Sequence, residues 1–287
     1  WENHVSVLDK TRLYKRAEEL GVPYPETSFP SETDPDAAAD ELGFPLVIKP
    51  ARKRAGEEAI GSNVVEVATN EELHDVLDAA AAAGVEVMLQ EKVNIATGKD
   101  RSLASYVPAE GEPLAVVGNA AVRFPLEFGT SCLVKTVDAP EIEARALSVI
   151  EDAGYHGISE SEFVYDADRE EYVLLDINTR PWKWISLPVS VGANLPYAAY
   201  ADVVDAEFEP GEPDDGRWVY LRDYLTLLGT EAAFWDVLDT ADWASLVSGA
   251  FEESGDLTTG VYRPSDPLPT AQLLDTEFTD REYYCSC

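Results

Sequence analysis

A short basic segment stands out in a chain that is otherwise strongly acidic. The 287 residues hold 21 basic against 55 acidic side chains. Four of the basic residues nevertheless fall within six positions, namely Lys49, Arg52, Lys53 and Arg54. They follow an apolar run, 46–48, and precede Gly56 and Gly61. Backbone N–H groups of such a loop, together with point charges, are suited to hold a polyphosphate. A solvated basic turn is the alternative, and the acidic background disfavours it.

A predicted β-hairpin carries the second group of chemically useful side chains. Two strand-like segments, 159–165 and 171–178, flank a polar turn. If Glu162 pairs near Leu174 and Asp176 near Glu160, the even-numbered side chains share one face of the hairpin. That face carries Glu160, Glu162, Asp176, Asn178 and Arg180, and the other carries Phe163, Val173, Leu175 and Ile177.

The polar face of this hairpin predicts a metal site. Carboxylate and amide oxygens on adjacent strands suit Mg²⁺, which takes its remaining ligands from substrate phosphates and water. The alternative is a solvated polar face beside a buried one. A third segment, 88–93, is an apolar strand edge that turns polar. Its backbone is suited to pair with an adenine edge, although an ordinary strand end explains it as well.

Alternating helices and strands must position these groups, which predicts an α+β chain with two lobes. Asp9 is expected to cap a helix over Lys10–Leu20 that ends at Gly21. Strands are expected near 46–48, 85–90, 102–107 and 114–122, and helices near 71–83, 140–153 and 196–204. Beyond Glu207 the pattern predicts helices over 218–228 and 231–251, with coil from Thr259.

The charge balance restricts the classes of partner. A formal net charge of −34 repels phosphate backbones and anionic lipid, which argues against a nucleic-acid or membrane-surface binder. An acidic chain with few lysines is typical of a halophilic protein, and an ordinary acidic protein is the alternative. No apolar run of about 18 residues is present, so a cytoplasmic protein is expected.

Together, these features in this order resemble the ATP-grasp superfamily. The resemblance covers residues 8 to about 204, and residues 178–200 are similar to the carboxylate–amine ligase branch that includes D-aspartate ligase relatives. It rests on Leu8-Asp9-Lys10, Gly21-Val22-Pro23-Tyr24-Pro25, Gly43-Phe44-Pro45-Leu46-Val47-Ile48-Lys49-Pro50, Leu89-Gln90-Glu91-Lys92, Gly154-Tyr155-His156-Gly157, Glu162-Phe163 and Leu175-Asp176-Ile177-Asn178-Thr179-Arg180.

The resemblance implies an ATP-grasp fold in which ATP is held between two lobes. It assigns residues 1–93 to the small lobe, including the linker helix that precedes the lobe proper. Residues 94–205 are assigned to the large lobe with the metal-binding hairpin, and residues 206–287 to a helical and coil extension packed on the large lobe. It also implies an additional α/β domain upstream of Asp9, so we expect this chain to be a fragment with an incomplete acceptor site.

The resemblance also implies a role for each candidate site residue. The implied ATP contacts are Lys10, Lys49, Arg52, Gly56, Gly61, Glu91, Lys92, Val93 and Asp100. The implied Mg²⁺ ligands are Glu162, Asp176 and Asn178, with Asp176 standing where Glu is usual. The implied catalytic residues are Arg123, on the transferred phosphate or acyl phosphate, and Arg180, on the substrate carboxylate or intermediate.

The implied reaction joins a small-molecule carboxylate to an amine. The carboxylate attacks the γ-phosphorus of ATP, and the amine then displaces phosphate from the acyl phosphate, with Mg²⁺ and cationic groups stabilising the transferred charge. Two alternatives stay open: a nucleotide-binding protein without ligase turnover, and an ATP-grasp carboxylase that uses bicarbonate. A homodimer also stays open.

Overall fold

The computed structural model describes residues 7–51, 64–126 and 129–277. These residues form two compact units. The first takes in the described residues up to Val117 together with Asp138–Pro181, and the second takes in Gly118–Val137 together with the described residues from Trp182 onward. These boundaries differ from the predicted lobe boundaries near 93 and 205, which stay a prediction.

The described residues contain both strands and helices, as expected for an α+β chain. The strands, in chain order, are β1 (Thr27–Ser28), β2 (Leu46–Pro50), β3 (Val65–Val67), β4 (Val87–Glu91), β5 (Arg101–Val107), β6 (Leu114–Phe124), β7 (Thr130–Thr136), β8 (Gly157–Asp166), β9 (Glu171–Asn178), β10 (Arg217–Val219) and β11 (Leu257–Thr259). The helices are α1 (Lys10–Leu20), α2 (Pro35–Leu42), α3 (Asn70–Ala82), α4 (Pro140–Asp152), α5 (Ser186–Ser190), α6 (Leu195–Val203), α7 (Leu221–Thr230), α8 (Thr240–Ser248), α9 (Phe251–Ser254) and α10 (Leu268–Glu277), with a 3₁₀ turn at Ala232–Phe234. Within the described residues, no helix combines the length and the apolar character needed to cross a membrane.

A four-stranded antiparallel sheet in the first unit has the order β1-β4-β2-β3. Its strands are short and rich in β-branched residues, which suit a pleated, half-buried surface. Leu46 and Ile48 of β2 and Leu89 of β4 are fully buried and share a core with Ala39 of α2 and Leu73 of α3. This core holds β2 and β4, the strands that carry Lys49 and Glu91.

The antiparallel strands β5, β8 and β9, with β8 in the middle, form the other sheet segment of the first unit. Helix α1 begins where the Asp9 carboxylate accepts hydrogen bonds from the Thr11 and Arg12 amides, and it ends at Gly21 in the left-handed conformation. The predicted bounds and caps of α1 are therefore confirmed. The Arg16 side chain of α1 donates to Asp152 of α4 at 2.8 Å, which fixes α1 within this unit.

The second unit pairs the hairpin β6–β7 with strands from the C-terminal part of the chain. Strand β10 runs antiparallel to β7, with Trp218 opposite Val134, and parallel to β11. The expectation of a helix over 218–228 and of coil from Thr259 is therefore wrong in part: α7 begins only at Leu221, and α10 follows the coil. Packing decides this, because Trp218 and Val219 are fully buried in the core of the unit.

Candidate active site

Four polar side chains of the β8–β9 hairpin lie side by side in the first unit. Glu160 is directly opposite Asn178, and Glu162 is directly opposite Asp176. The Asn178 amide Nδ2 donates to Oε1 of Glu162 at 2.7 Å and lies 3.4 Å from Oε2 of Glu160. Glu160, Asp176 and Asn178 are buried, and Glu162 is half-buried. The structure thus brings together the three predicted metal ligands, Glu162, Asp176 and Asn178, and adds Glu160 to them. These four residues are called the acidic cluster below.

The register of this hairpin differs from the expected one by two residues. Glu162 pairs with Asp176 rather than Leu174, and the shared face survives because the side-chain period of a strand is two. A bulge follows, since Phe163 pairs with Leu174 and leaves Leu175 without an opposite residue. Val173 therefore lies opposite Val164, and both are on the hairpin face opposite to that of Phe163. The prediction that Val173 shares a face with Phe163 is wrong.

Lys10, a predicted phosphate contact, forms an ion pair with Asp176 of the acidic cluster. Its Nζ atom lies 3.1 Å from Oδ1 of Asp176 and 3.4 Å from the carbonyl oxygen of Leu175. Burial alone lowers the pKa of Lys10, but the negative charge of Asp176, followed by Tyr14 and Glu162, outweighs it and the pKa lies above its usual value. Lys10 therefore stays a cation beside the acidic cluster.

Lys49, the second predicted phosphate contact, sits on β2 opposite Met88. Its Nζ atom donates to Oε1 of Gln90 at 2.6 Å, and Nε2 of Gln90 donates in turn to Oγ1 of Thr27 at 2.8 Å. Gln90 is 1% exposed. A buried side chain therefore orients the ammonium group of Lys49. The sequence predictions missed Gln90, although it stands next to Glu91 in the quoted motif.

The predicted adenine segment is fixed by side-chain contacts. Oε1 of Glu91 lies 2.6 Å from NH2 of Arg169 and accepts a hydrogen bond from the Glu26 amide at 2.6 Å. Lys92 is partly exposed, and its Nζ lies 2.8 Å from Oε1 of Glu66. Val93 is half-buried. The charged side chains of Glu91 and Lys92 therefore both have partners within the first unit, and the predicted adenine contact stays a prediction. Sequence reasoning missed Arg169.

Asp100, Arg123 and Arg180 lie outside strands β8 and β9. Asp100 is buried immediately before β5, and Arg180 is exposed just past β9, with NH1 donating to the Pro181 carbonyl at 3.1 Å. Arg123 belongs to the second unit, where NH1 donates to the Gly129 carbonyl at 3.0 Å. Arg52, Gly56 and Gly61 lie outside the described residues. The roles expected for these residues stay predictions.

The acidic cluster has the donor chemistry that Mg²⁺ requires. Glu162, Asp176 and Asn178 offer carboxylate and amide oxygens, which are hard ligands. Among all the residues that the structure describes, including this cluster, no group of three or more His, Cys, Asp or Glu side chains is arranged to hold a metal. Two carboxylates with one amide make a partial ligand set, of the kind that Mg²⁺ completes with phosphate oxygens and water.

Comparisons with solved structures identify the fold. The chain aligns with biotin carboxylase from Campylobacter jejuni at a TM-score of 0.60 and 16% identity, over 75% of this chain and 50% of that one. It aligns with an N5-carboxyaminoimidazole ribonucleotide synthetase in its ADP complex at a TM-score of 0.60 and 14% identity, over 78% and 60%. The chain has the ATP-grasp fold. The predicted fold class is thereby confirmed.

Sequence comparisons add two further kinds of relative. The chain is 28% identical over 182 residues to a D-alanine–D-alanine ligase of Pseudomonas fluorescens, which covers 61% of this chain and 54% of that protein. It is 24% identical over 208 residues to the C-terminal section of a carbamoyl phosphate synthase large chain of Methanopyrus kandleri, over 66% and 35%. The chain thus spans about half the length of the curated ligases that it matches. No protein-family model matches the chain.

Proposed function

We propose that this chain binds MgATP and belongs to an ATP-dependent carboxylate–amine ligase. The observation that carries the proposal is the acidic cluster of the ATP-grasp fold, in which Glu162 and Asp176 lie opposite each other, with Asn178 beside them and Lys10 3.1 Å from Asp176. The D-alanine–D-alanine ligases among the sequence relatives support a ligase that joins a carboxylate to an amine. The D-aspartate ligase-like branch is our finer assignment and rests on residues 178–200.

The cluster is suited to bring a magnesium ion to a triphosphate. Glu162, Asp176 and Asn178 would hold the ion, which would neutralise negative charge on the phosphates. Lys10 orients the Asp176 carboxylate through the ion pair at 3.1 Å. Lys49, oriented by Gln90, supplies a further positive charge from β2.

The proposed reaction forms an amide in two steps. A substrate carboxylate oxygen attacks the γ-phosphorus of ATP, the bond to the β,γ-bridging oxygen breaks, and ADP leaves with an acyl phosphate formed. The amine nitrogen then attacks the acyl carbon, loses a proton, and inorganic phosphate leaves. Exposed Arg180, two residues past Asn178, would bind the substrate carboxylate as a bidentate partner. Electrostatic positioning supplies most of the rate acceleration in such phosphoryl transfers.

Calorimetric titration with MgATP tests the proposed site. We expect Glu162→Gln and Asp176→Asn each to weaken MgATP binding about tenfold or more, because each removes a charged oxygen ligand. Glu71→Gln, which removes an exposed carboxylate from α3, is the control and should bind like the unmodified chain. Unchanged affinity in both cluster variants would overturn the metal assignment.

Phosphate release tests the reaction. The protein is expressed from the native locus with its upstream sequence, because this chain spans about half the length of its ligase relatives. It is then mixed with ATP, candidate amino acids and amines. Release that depends on both a carboxylate and an amine supports the ligase. Release with bicarbonate alone would indicate a carboxylase, and MgATP binding without release would indicate a nucleotide-binding protein. Either of the last two results would overturn the proposed activity while leaving the nucleotide site in place.

A further inference from the structure

A series of side-chain hydrogen bonds crosses the four-stranded sheet of the first unit, from its edge to the strand that carries Lys49. Nζ of Lys49 donates to Oε1 of Gln90 at 2.6 Å, and Nε2 of Gln90 donates to Oγ1 of Thr27 at 2.8 Å. The Thr27 hydroxyl donates in turn to the carbonyl of Pro25 at 2.7 Å. The sheet order β1-β4-β2 places Gln90 on the strand between the other two side chains. These bonds are called the Lys49 network below.

The strand register puts the side chains of the Lys49 network on one face of the sheet. Thr27 of β1 is directly opposite Gln90 of β4, and Gln90 is directly opposite Val47 of β2. Lys49 follows Val47 by two residues and therefore projects from the same face, as a diagonal neighbour of Gln90. Val47 and Met88, which share this face, are buried. The backbone register therefore brings the three polar side chains together.

The donors and acceptors of the Lys49 network allow one orientation of the Gln90 amide. An ammonium group has donors only, so the amide oxygen must face Lys49 and the amide NH2 group must face Thr27. The Thr27 oxygen accepts that bond, and the single hydroxyl proton is used on the Pro25 carbonyl. Because Gln90 is 1% exposed, water has little access to replace either partner. Loss of the Thr27 hydroxyl would therefore leave a buried N–H without its acceptor, which is unfavourable.

We propose that Thr27 is a positioning residue of the nucleotide site, which fixes the Lys49 ammonium group through Gln90 for contact with a nucleotide phosphate. The inference rests on the proposed function, in which Lys49 binds the phosphates of ATP. It adds to that function a residue of the two-residue edge strand β1, which acts through Gln90 and does not itself contact the nucleotide. A lysine whose head group is already oriented loses less rotamer freedom when it binds its ligand. The network lies wholly within the first unit.

Calorimetric titration of the chain with MgATP and, separately, with adenosine tests the role of Thr27. Thr27→Val keeps the shape of the side chain and removes its hydroxyl. We expect this variant to weaken MgATP binding about fivefold, because one hydrogen bond is lost from the Lys49 network. Adenosine binding should be unchanged, because adenosine has no phosphate for Lys49 to contact. Thr27→Ser keeps the hydroxyl and should bind MgATP to within about twofold of the unmodified chain.

Two further measurements separate positioning from a general loss of structure. Thr33→Val makes the same substitution at an exposed residue of the first unit and should bind MgATP like the unmodified chain. Nuclear magnetic resonance without nucleotide follows the side-chain N–H protons of Gln90. These protons should exchange with solvent about tenfold faster in Thr27→Val than in the unmodified chain, because they lose their acceptor. Thr27→Ser should keep them protected.

The possible results distinguish failure of this inference from failure of the proposed function. The role of Thr27 is overturned if Thr27→Val binds MgATP as tightly as the unmodified chain, or if the Gln90 side-chain protons exchange at an unchanged rate. Equal weakening of MgATP and adenosine binding also overturns it, since the loss would then come from the fold of β1. Each of these results leaves MgATP binding by the unmodified chain in place. Absence of that binding would instead overturn the proposed function, and the contact of Lys49 with phosphate would fail with it.

Discussion

A buried ion pair between Lys10 and Asp176 joins the first residue of α1 to strand β9. Their charged atoms lie 3.1 Å apart, and their side chains are 8% and 12% exposed. Tyr14, one turn further along α1, donates its hydroxyl to the carbonyl of Leu175 at 2.8 Å. One helix therefore positions both the carboxylate of Asp176 and the backbone carbonyl before it.

Removing the cation of this pair should destabilise the chain strongly. Lys10→Met leaves the Asp176 carboxylate buried without its partner, and we expect the free energy of unfolding to fall by about 3 kcal/mol. Chemical denaturation measures the change. Lys15→Met on the same helix is the matched control, since the Lys15–Glu32 pair is 51% and 52% exposed and should contribute at most about 1 kcal/mol. Equal losses in the two variants would contradict the structural role of Lys10.

Local chemistry made part of this arrangement predictable from sequence. The bounds of α1 follow from the Asp9 cap and the left-handed Gly21, because both act within one turn of the helix. The shared face of Glu162, Asp176 and Asn178 follows from the two-residue period of a strand, which holds for any even shift of register.

The contacts that span long stretches of sequence were not predictable. The register of β8 and β9 is set by packing, and the bulge at Leu175 presents a carbonyl to Lys10 and Tyr14, more than 160 residues earlier in the chain. The partnership of Arg169 with Glu91 joins segments 78 positions apart. Strand β10 pairs with β7 and β11, and its Trp218 and Val219 are fully buried; no local pattern around residue 218 reveals these partners.

The Arg169–Glu91 ion pair should govern the mobility of the predicted adenine segment. Arg169 connects the turn of the β8–β9 hairpin to Glu91, and the amide of Ala96 also donates to Tyr165 of that hairpin. Arg169→Gln should therefore increase hydrogen exchange of the amides at 91–96 and lower the free energy of unfolding by about 1 kcal/mol.

Lys92→Gln is the matched control for this exchange measurement. It removes the neighbouring ion pair with Glu66, in which both side chains are 41% exposed, and should leave exchange nearly unchanged. Similar exchange in Arg169→Gln and in the unmodified chain would show that the backbone contacts alone hold the segment.

Stability should rise with salt concentration, because the chain carries a formal net charge of −34. The screening length falls from about 10 Å at 0.1 M to about 3 Å at 1 M salt, which weakens repulsion among the surface carboxylates. We expect the thermal midpoint to increase between 0.1 M and molar KCl. A midpoint that stays constant or falls would count against a salt-adapted surface.

Helix α3 allows the source of this salt dependence to be tested. Asp75 and Asp78 are exposed on adjacent turns of α3 and repel each other as like charges three residues apart. Replacing both with Asn should raise the midpoint at 0.1 M KCl and reduce its rise with salt. An unchanged salt response would locate the effect in other carboxylates.

Acid should weaken the second unit through Asp242. The Arg217 guanidinium donates to both Asp242 oxygens, at 2.7 and 2.6 Å, and these hydrogen bonds, opposed by partial burial, hold the pKa of Asp242 below its usual value. Because the folded pKa is the lower one, the stabilisation is complete above the unfolded pKa of about 4 and is lost as the pH falls through the folded value. The free energy of unfolding of the unmodified chain minus that of Asp242→Asn should therefore shrink from pH 6 toward pH 2.5. Exposed Glu253→Gln is the control, whose difference should stay small throughout. A constant difference for Asp242→Asn would show that the pair does not shift the titration of Asp242.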